Sequence, residues 1–185
     1  MSALVATPPV TQRVQYLSRL LAHACLGLIV LLPLAVAIYW SVADASVLAV
    51  RANLPPNVIT TPLQSWQRVA GAVLTEVMLS LLLLGLWQAR RCFQQFSSGQ
   101  IFTGAAVQCL RHFAGWTLAS VIAGMLSSTA ISVVLTLGNP PGLRHIAIGV
   151  GTDQLFTVFF AALVWLMAAV IGQGQALAEE NATFI

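Results

Sequence analysis

The sequence predicts an all-α, polytopic membrane protein with four transmembrane helices arranged as two hairpins in a single domain, 1–185. Four apolar stretches, at about 20–42, 69–87, 113–137 and 155–172, carry that prediction. At a rise of about 1.5 Å per residue, about 20 apolar residues cross a hydrocarbon core about 30 Å thick. Composition agrees. Charged residues make up 7% of the chain and hydrophobic ones 58%, whereas a soluble domain carries about 25% charged residues. Third, every arginine lies outside the stretches, and the segments between them hold most of the prolines, the punctuation expected of loops.

The first span is longer than the apolar core of a signal peptide, and three more spans follow it, so it reads as uncleaved despite the small residues Ala43 and Ala45. Pro33 lies inside it and predicts a kink. The loop that follows holds Pro55, Pro56 and Pro62, which exclude a long regular helix.

Span two holds Glu76, the one acidic residue inside a predicted span. A carboxylate at this depth is costly without water or a partner. Two readings follow. Glu76 is a packed acid bonded to hydroxyls such as Thr75, Ser80 or the Ser127–Ser128–Thr129 cluster, or it is a proton- or cation-responsive site.

The connection from span two to span three contains Arg90, Arg91 and Arg111, with a turn at Gly99 and apolar Ile101 and Phe102 in a polar setting. Residues 104–112 read as a helical extension of span three. Span three carries Ser120, Gly124, Ser128 and Ser132 at four-residue intervals, a small-residue stripe that lets another helix approach closely. That helix belongs either to the same chain or to a second protomer. The loop after it opens on Gly138-Asn139-Pro140-Pro141-Gly142, a helix stop and turn. Span four then runs into a polar tail whose carboxylates stand within reach of the arginines of the connection.

Arg13, Arg19, Arg90, Arg91 and Arg111 fall on one side of the predicted membrane, against Arg51, Arg68 and Arg144 on the other. The positive-inside rule then places both termini in the cytoplasm. Trp40, Trp66, Trp87 and Trp116 lie near span ends, where indoles favour the interface, while Trp165 reads as packed within the bundle.

The same inventory narrows function. The chain has no lysine, and its arginines form no dense basic face, so nucleic acid is not an expected partner. Cys25, Cys92 and Cys109 avoid the two outer loops, which removes disulfide stapling there. His23 and His112 lack a haem attachment motif, and Cys92, Cys109 and His112 lack the repeated spacing of a zinc site. No cofactor is expected. No phosphate-loop, zinc-protease or nucleophile-elbow motif is present. No catalytic residue is assigned, and the reading leans away from an enzyme.

Two segments resemble signatures of a bacterial membrane family. Phe96-Ser-Ser-Gly99-Gln-Ile101-Phe102, followed by Leu110-Arg111 and Gly115, resembles the central signature of the domain of unknown function 2975 family. The tail from Ala176 to Ile185 resembles its C-terminal signature, with Glu180 and Asn181 at the family's glutamate-asparagine pair. The resemblance implies a four-span protein of the bacterial inner membrane without a settled biochemical role. The signature positions mark a family and not an active site. The leading expectation is a noncatalytic interaction or regulatory component. Its partners are the lipid bilayer, a membrane or cytoplasmic protein, and further copies of itself. The alternative is a small transporter or proton-coupled component using Glu76.

Overall fold

The computed structural model describes residues 9–98, 103–140, 142–149 and 151–183, and the side chains among them except those of 9–11, 175 and 178–183. The described residues form five helices: α1 Pro9–Val42, α2 Ala45–Arg51, α3 Ser65–Ser97, α4 Gly104–Thr136 and α5 Thr152–Thr183. Four of them are long and apolar enough to cross a membrane. The chain is a multi-pass membrane protein. All four long helices exceed the predicted spans because their polar ends stay helical past the apolar stretch. A 33-residue helix such as α3 is about 50 Å long, well beyond the hydrocarbon core. α1 continues unbroken through Pro33.

The helices form an open row. α1 packs on α3, α3 on α4 and α4 on α5, and among the described residues α1 meets neither α4 nor α5. The most extensive contact is α3 with α4, a pair that spans the two predicted hairpins. The pairs expected as hairpins, α1 with α3 and α4 with α5, do pack together, but among the described residues the four helices do not close into a ring. Lipid tails are as apolar as leucine, so no hydrophobic force obliges a membrane helix row to close.

The α3–α4 register is antiparallel and regular. A Cβ on Gly85 would lie 3.4 Å from the Trp116 Cβ, and one on Gly124 would lie 3.4 Å from the Met78 sulfur. Further along, Ser127 Oγ donates to the Leu74 carbonyl at 3.2 Å, and Gln67 Nε2 donates to the Val134 carbonyl at 2.9 Å.

The buried apolar cluster sits at one end of the row. It comprises Trp40, Leu48, Ala49, Ala52, Leu54 and Leu135, and α2 builds much of it. α2 ends in a Schellman turn. Asn53 takes φ 56°, its N–H reaches Val50 O, and Leu54 N–H reaches Ala49 O at 2.9 Å. Asparagine tolerates this left-handed position, and the Leu54–Ala49 contact is the apolar clasp that accompanies the motif.

Trp40 is the first tryptophan to depart from expectation. It is 4% exposed. Its indole N–H donates to Thr75 Oγ1 at 3.1 Å, and its ring fills the space a Gly71 side chain would need. An indole beside a glycine packs inward instead of joining an interfacial belt. Trp165 departs the other way. It is 53% exposed on α5, because α5 is the last helix of the row and α4 covers only one of its faces.

Candidate functional site

Glu76 lies eleven residues into α3. It is half-buried, beside a stripe of exposed residues: Val69, Val73, Val77, Ser80, Leu84 and Trp87. These recur at helical spacing and form the face that α1 and α4 leave uncovered. None of the hydroxyls expected to hold Glu76 donates to it. Thr75 donates to Gly71 O, Ser80 to Val77 O, Ser127 to Leu74 O, and Ser128 and Thr129 to Met125 O. Each is spent on a helix carbonyl, the usual retreat of a hydroxyl in an apolar span. Among the described residues Glu76 makes no hydrogen bond and no ion pair.

The predicted stripe on α4 is divided among several surroundings. Gly124 faces Met78 of α3. Ser120 is buried and donates to Thr117 O. Ser128 is half-buried. Ser132 is fully buried, but what it meets is not a helix: its Oγ accepts the Ala147 N–H at 3.0 Å. Thr136 Oγ1, one turn later, donates to His145 O at 3.1 Å. These two hydroxyls lay the non-helical segment 143–149 against the end of α4. Four-residue spacing drifts about 40° per step on a helix of 3.6 residues per turn, so three steps carry the stripe onto a different neighbour.

Three polar residues missed by sequence reasoning tie the capped end together. Gln67 accepts from Gln64 N–H at 2.8 Å, closing the first turn of α3, and donates to Val134 O. Arg68 donates to Trp40 O at 3.1 Å and Ala43 O at 2.9 Å. These carbonyls lie in the last turn of α4 and at the end of α1, where helix carbonyls run short of i+4 partners; Val134 O otherwise accepts only the C-cap Leu137 N–H at 3.4 Å. Consecutive residues of α3 thus cap both neighbouring helices. Asn139, 2% exposed, joins the two loops. Its amide donates to Val58 O at 2.7 Å and Leu143 O at 3.0 Å, while its oxygen accepts from Thr60 N–H and Oγ.

At the opposite end, α3 and α4 project together. Arg90 lies 5.3 Å from the Trp87 ring centroid, a cation–π contact. Arg91, Gln94, Gln95, Ser98 and Cys109 line an open groove. Phe96 is half-buried at the end of α3. Gly99, Ile101 and Phe102 lie outside the described residues, and Glu180 and Asn181 fall on α5 with their side chains outside the description. His23 and His112 are both exposed. Among the described residues no three His, Cys, Asp or Glu side chains gather in a metal-binding group.

Neither a curated protein nor a solved structure matches the chain. The family model described as "Protein of unknown function (DUF2975)" matches residues 58–185, from the first loop through all of α3, α4 and α5. The match covers well over half the sequence and includes both signature segments and Glu76, so the chain belongs to the DUF2975 family.

Proposed function

We propose that this protein is a noncatalytic interaction component of the bacterial inner membrane that docks a protein partner against the uncovered face of α3. The observation that carries this is Glu76, a carboxyl near mid-span that finds no partner among the described residues, beside an apolar face. A polar group facing hydrocarbon is expensive, and such groups normally face protein or a water-filled cavity. Among the described residues no other helix covers this face, so the protein placed there in this reading is another molecule. Orientation follows the arginines in this reading: Arg13, Arg19, Arg90, Arg91 and Arg111 lie toward one end, which supports a cytoplasmic side for that end and both termini.

A photoreactive amino acid at Val73 or Ser80, irradiated in native membranes, tests the reading. Protein adducts are expected at both positions. Adducts to lipid alone would overturn it.

One observation favours the proton- or cation-coupled alternative. The hydroxyls nearest Glu76 in sequence donate to backbone carbonyls, so among the described residues none donates to its carboxyl. Infrared difference spectra across a pH titration, wild type against Glu76→Gln, separate the readings. A carboxyl band that titrates in wild type and vanishes in Glu76→Gln would support coupling. A band constant with pH would count against it.

A further inference from the structure

We infer that Cys92 and Cys109 form a reversible thiol pair, which a hydroperoxide oxidises to a disulfide that staples α3 to α4 at the arginine end of the row. The pair is separate from Glu76 and from the α3 face proposed for docking.

Both residues are free thiols. Cys92 follows the apolar stretch of α3 by five residues, and Cys109 precedes that of α4 by four. The helix register brings them together. On α3, Cys92 lies seven residues beyond Gly85; on α4, Cys109 lies seven before Trp116. Seven residues are about two helical turns, so both steps return to nearly the same face. A Cβ on Gly85 would stand 3.4 Å from the Trp116 Cβ, and a disulfide needs about 3.5–4.5 Å between its Cβ atoms. The two helices still touch at the level of the cysteines, because Gln95 Nε2 of α3 donates to Cys109 Sγ at 4.0 Å. Gln95 follows Cys92 by three residues on the same face. The Cys109 sulfur is therefore aimed at the stretch of α3 that carries Cys92.

Their surroundings divide the chemistry. Cys109 is half-buried and lines the open groove with Arg91, Gln94, Gln95 and Ser98, whereas Cys92 is buried. A small oxidant reaches Cys109 first. The Cys109 thiol loses its proton, its sulfur attacks one oxygen of hydrogen peroxide and the O–O bond breaks. The hydroxide released takes up the proton as water and leaves Cys109 as a sulfenic acid. Cys92 is the resolving thiol. It gives up its proton, its sulfur attacks the Cys109 sulfur, and the displaced hydroxide leaves as a second water. Two thiols and one peroxide thus give one disulfide and two waters, with two electrons passing from sulfur to the peroxide. A thiol reductant reverses the bond by exchange. The bond closes a ring through the connection between α3 and α4 and fixes the two helices to each other. In the reading above this end is cytoplasmic, where disulfides are usually transient and redox-sensing.

The sequence supplies a direct readout. No arginine lies between Arg91 and Arg111, and the chain has no lysine, so trypsin releases Cys92 and Cys109 on one peptide, residues 92–111. The wild-type chain in native membranes is treated with hydrogen peroxide, alkylated under denaturing conditions and digested. The expected product is this peptide lighter by two hydrogens, with neither cysteine alkylated. Dithiothreitol before alkylation should restore both alkylation sites. Gln108→Cys combined with Cys109→Ala turns the thiol by about 100° around α4, onto an exposed position. It should lower the bonded fraction several-fold. An equal fraction would overturn the inference, since the fold would then play no part in bringing the thiols together. Two alkylated cysteines after peroxide would also overturn it, as would a bond from either to Cys25, or further oxidation of Cys109 with Cys92 still alkylated.

Discussion

At Gly71 a missing side chain decides a helix contact. The Trp40 ring occupies the volume a Cβ would take, and its N–H reaches Thr75 one turn along. Gly71→Ala must push the indole out and break that bond. Overpacking of this kind costs about 1–3 kcal/mol, so detergent-solubilised Gly71→Ala should melt earlier than wild type, with altered tryptophan fluorescence. Gly115 is the contrasting case. It lies inside α4, and a Cβ there meets nothing within 4 Å. Gly115→Ala should leave the melting temperature unchanged or raise it, since alanine is favoured over a mid-helix glycine by about 0.5–1 kcal/mol. The sequence offers no sign that separates these two glycines, because each sits in an apolar run. Glu76 was legible for the opposite reason: a carboxyl in such a run stands out by composition alone. Gln67, Arg68 and Asn139 were not legible, since their partners are backbone carbonyls that only the folded chain brings near. Arg68 was read as a loop charge and is in fact the cap of α1.

Among the elements, the existence of the four long helices follows from hydropathy, while their polar extensions and α2 do not. Seven residues are too few to declare an amphipathic period, and the turn that ends α2 depends on a left-handed asparagine. The small-residue stripe was only partly readable. Gly124 meets a helix and Ser132 meets the 143–149 segment, a division set by tertiary structure and not by spacing. Asn139 is the joint between the two loops at this end. Asn139→Ala would strand the carbonyls of Val58 and Leu143 and the N–H of Thr60. A buried group left unpaired costs about 1–3 kcal/mol. Hydrogen exchange in residues 54–64 and 142–149 should accelerate together, while the middle of α3 and α4 keeps its protection. Acceleration confined to one loop would show that Asn139 does not couple them.

For the whole molecule, hydropathy counts the helices but leaves their lateral order open, because a helix face against lipid and one against another helix are equally apolar. The open row therefore could not be read from the sequence, nor could the uncovered α3 face that gives Glu76 its importance. Orientation is different in kind, since it rests on charges near helix ends. Of the three arginines counted toward the capped end, Arg68 is occupied with α1 carbonyls, while Arg51 and Arg144 are exposed. The bias toward the opposite end is strongest at Arg90 and Arg91, which directly follow the apolar stretch of α3 and lie within the reach of the positive-inside rule. The measurement needs reporters that are exposed on the folded chain. Asn139 is unsuitable despite its place in a loop, because it is buried and its replacement loosens the joint. Asn57 and Ser98 are exposed at opposite ends of the row. In a cysteine-free background, Asn57→Cys should react with a membrane-impermeant thiol reagent in intact cells once the outer membrane is made permeable. Ser98→Cys should stay unreactive until the inner membrane is opened. The reverse pattern would invert the protein and place its paired arginines outside.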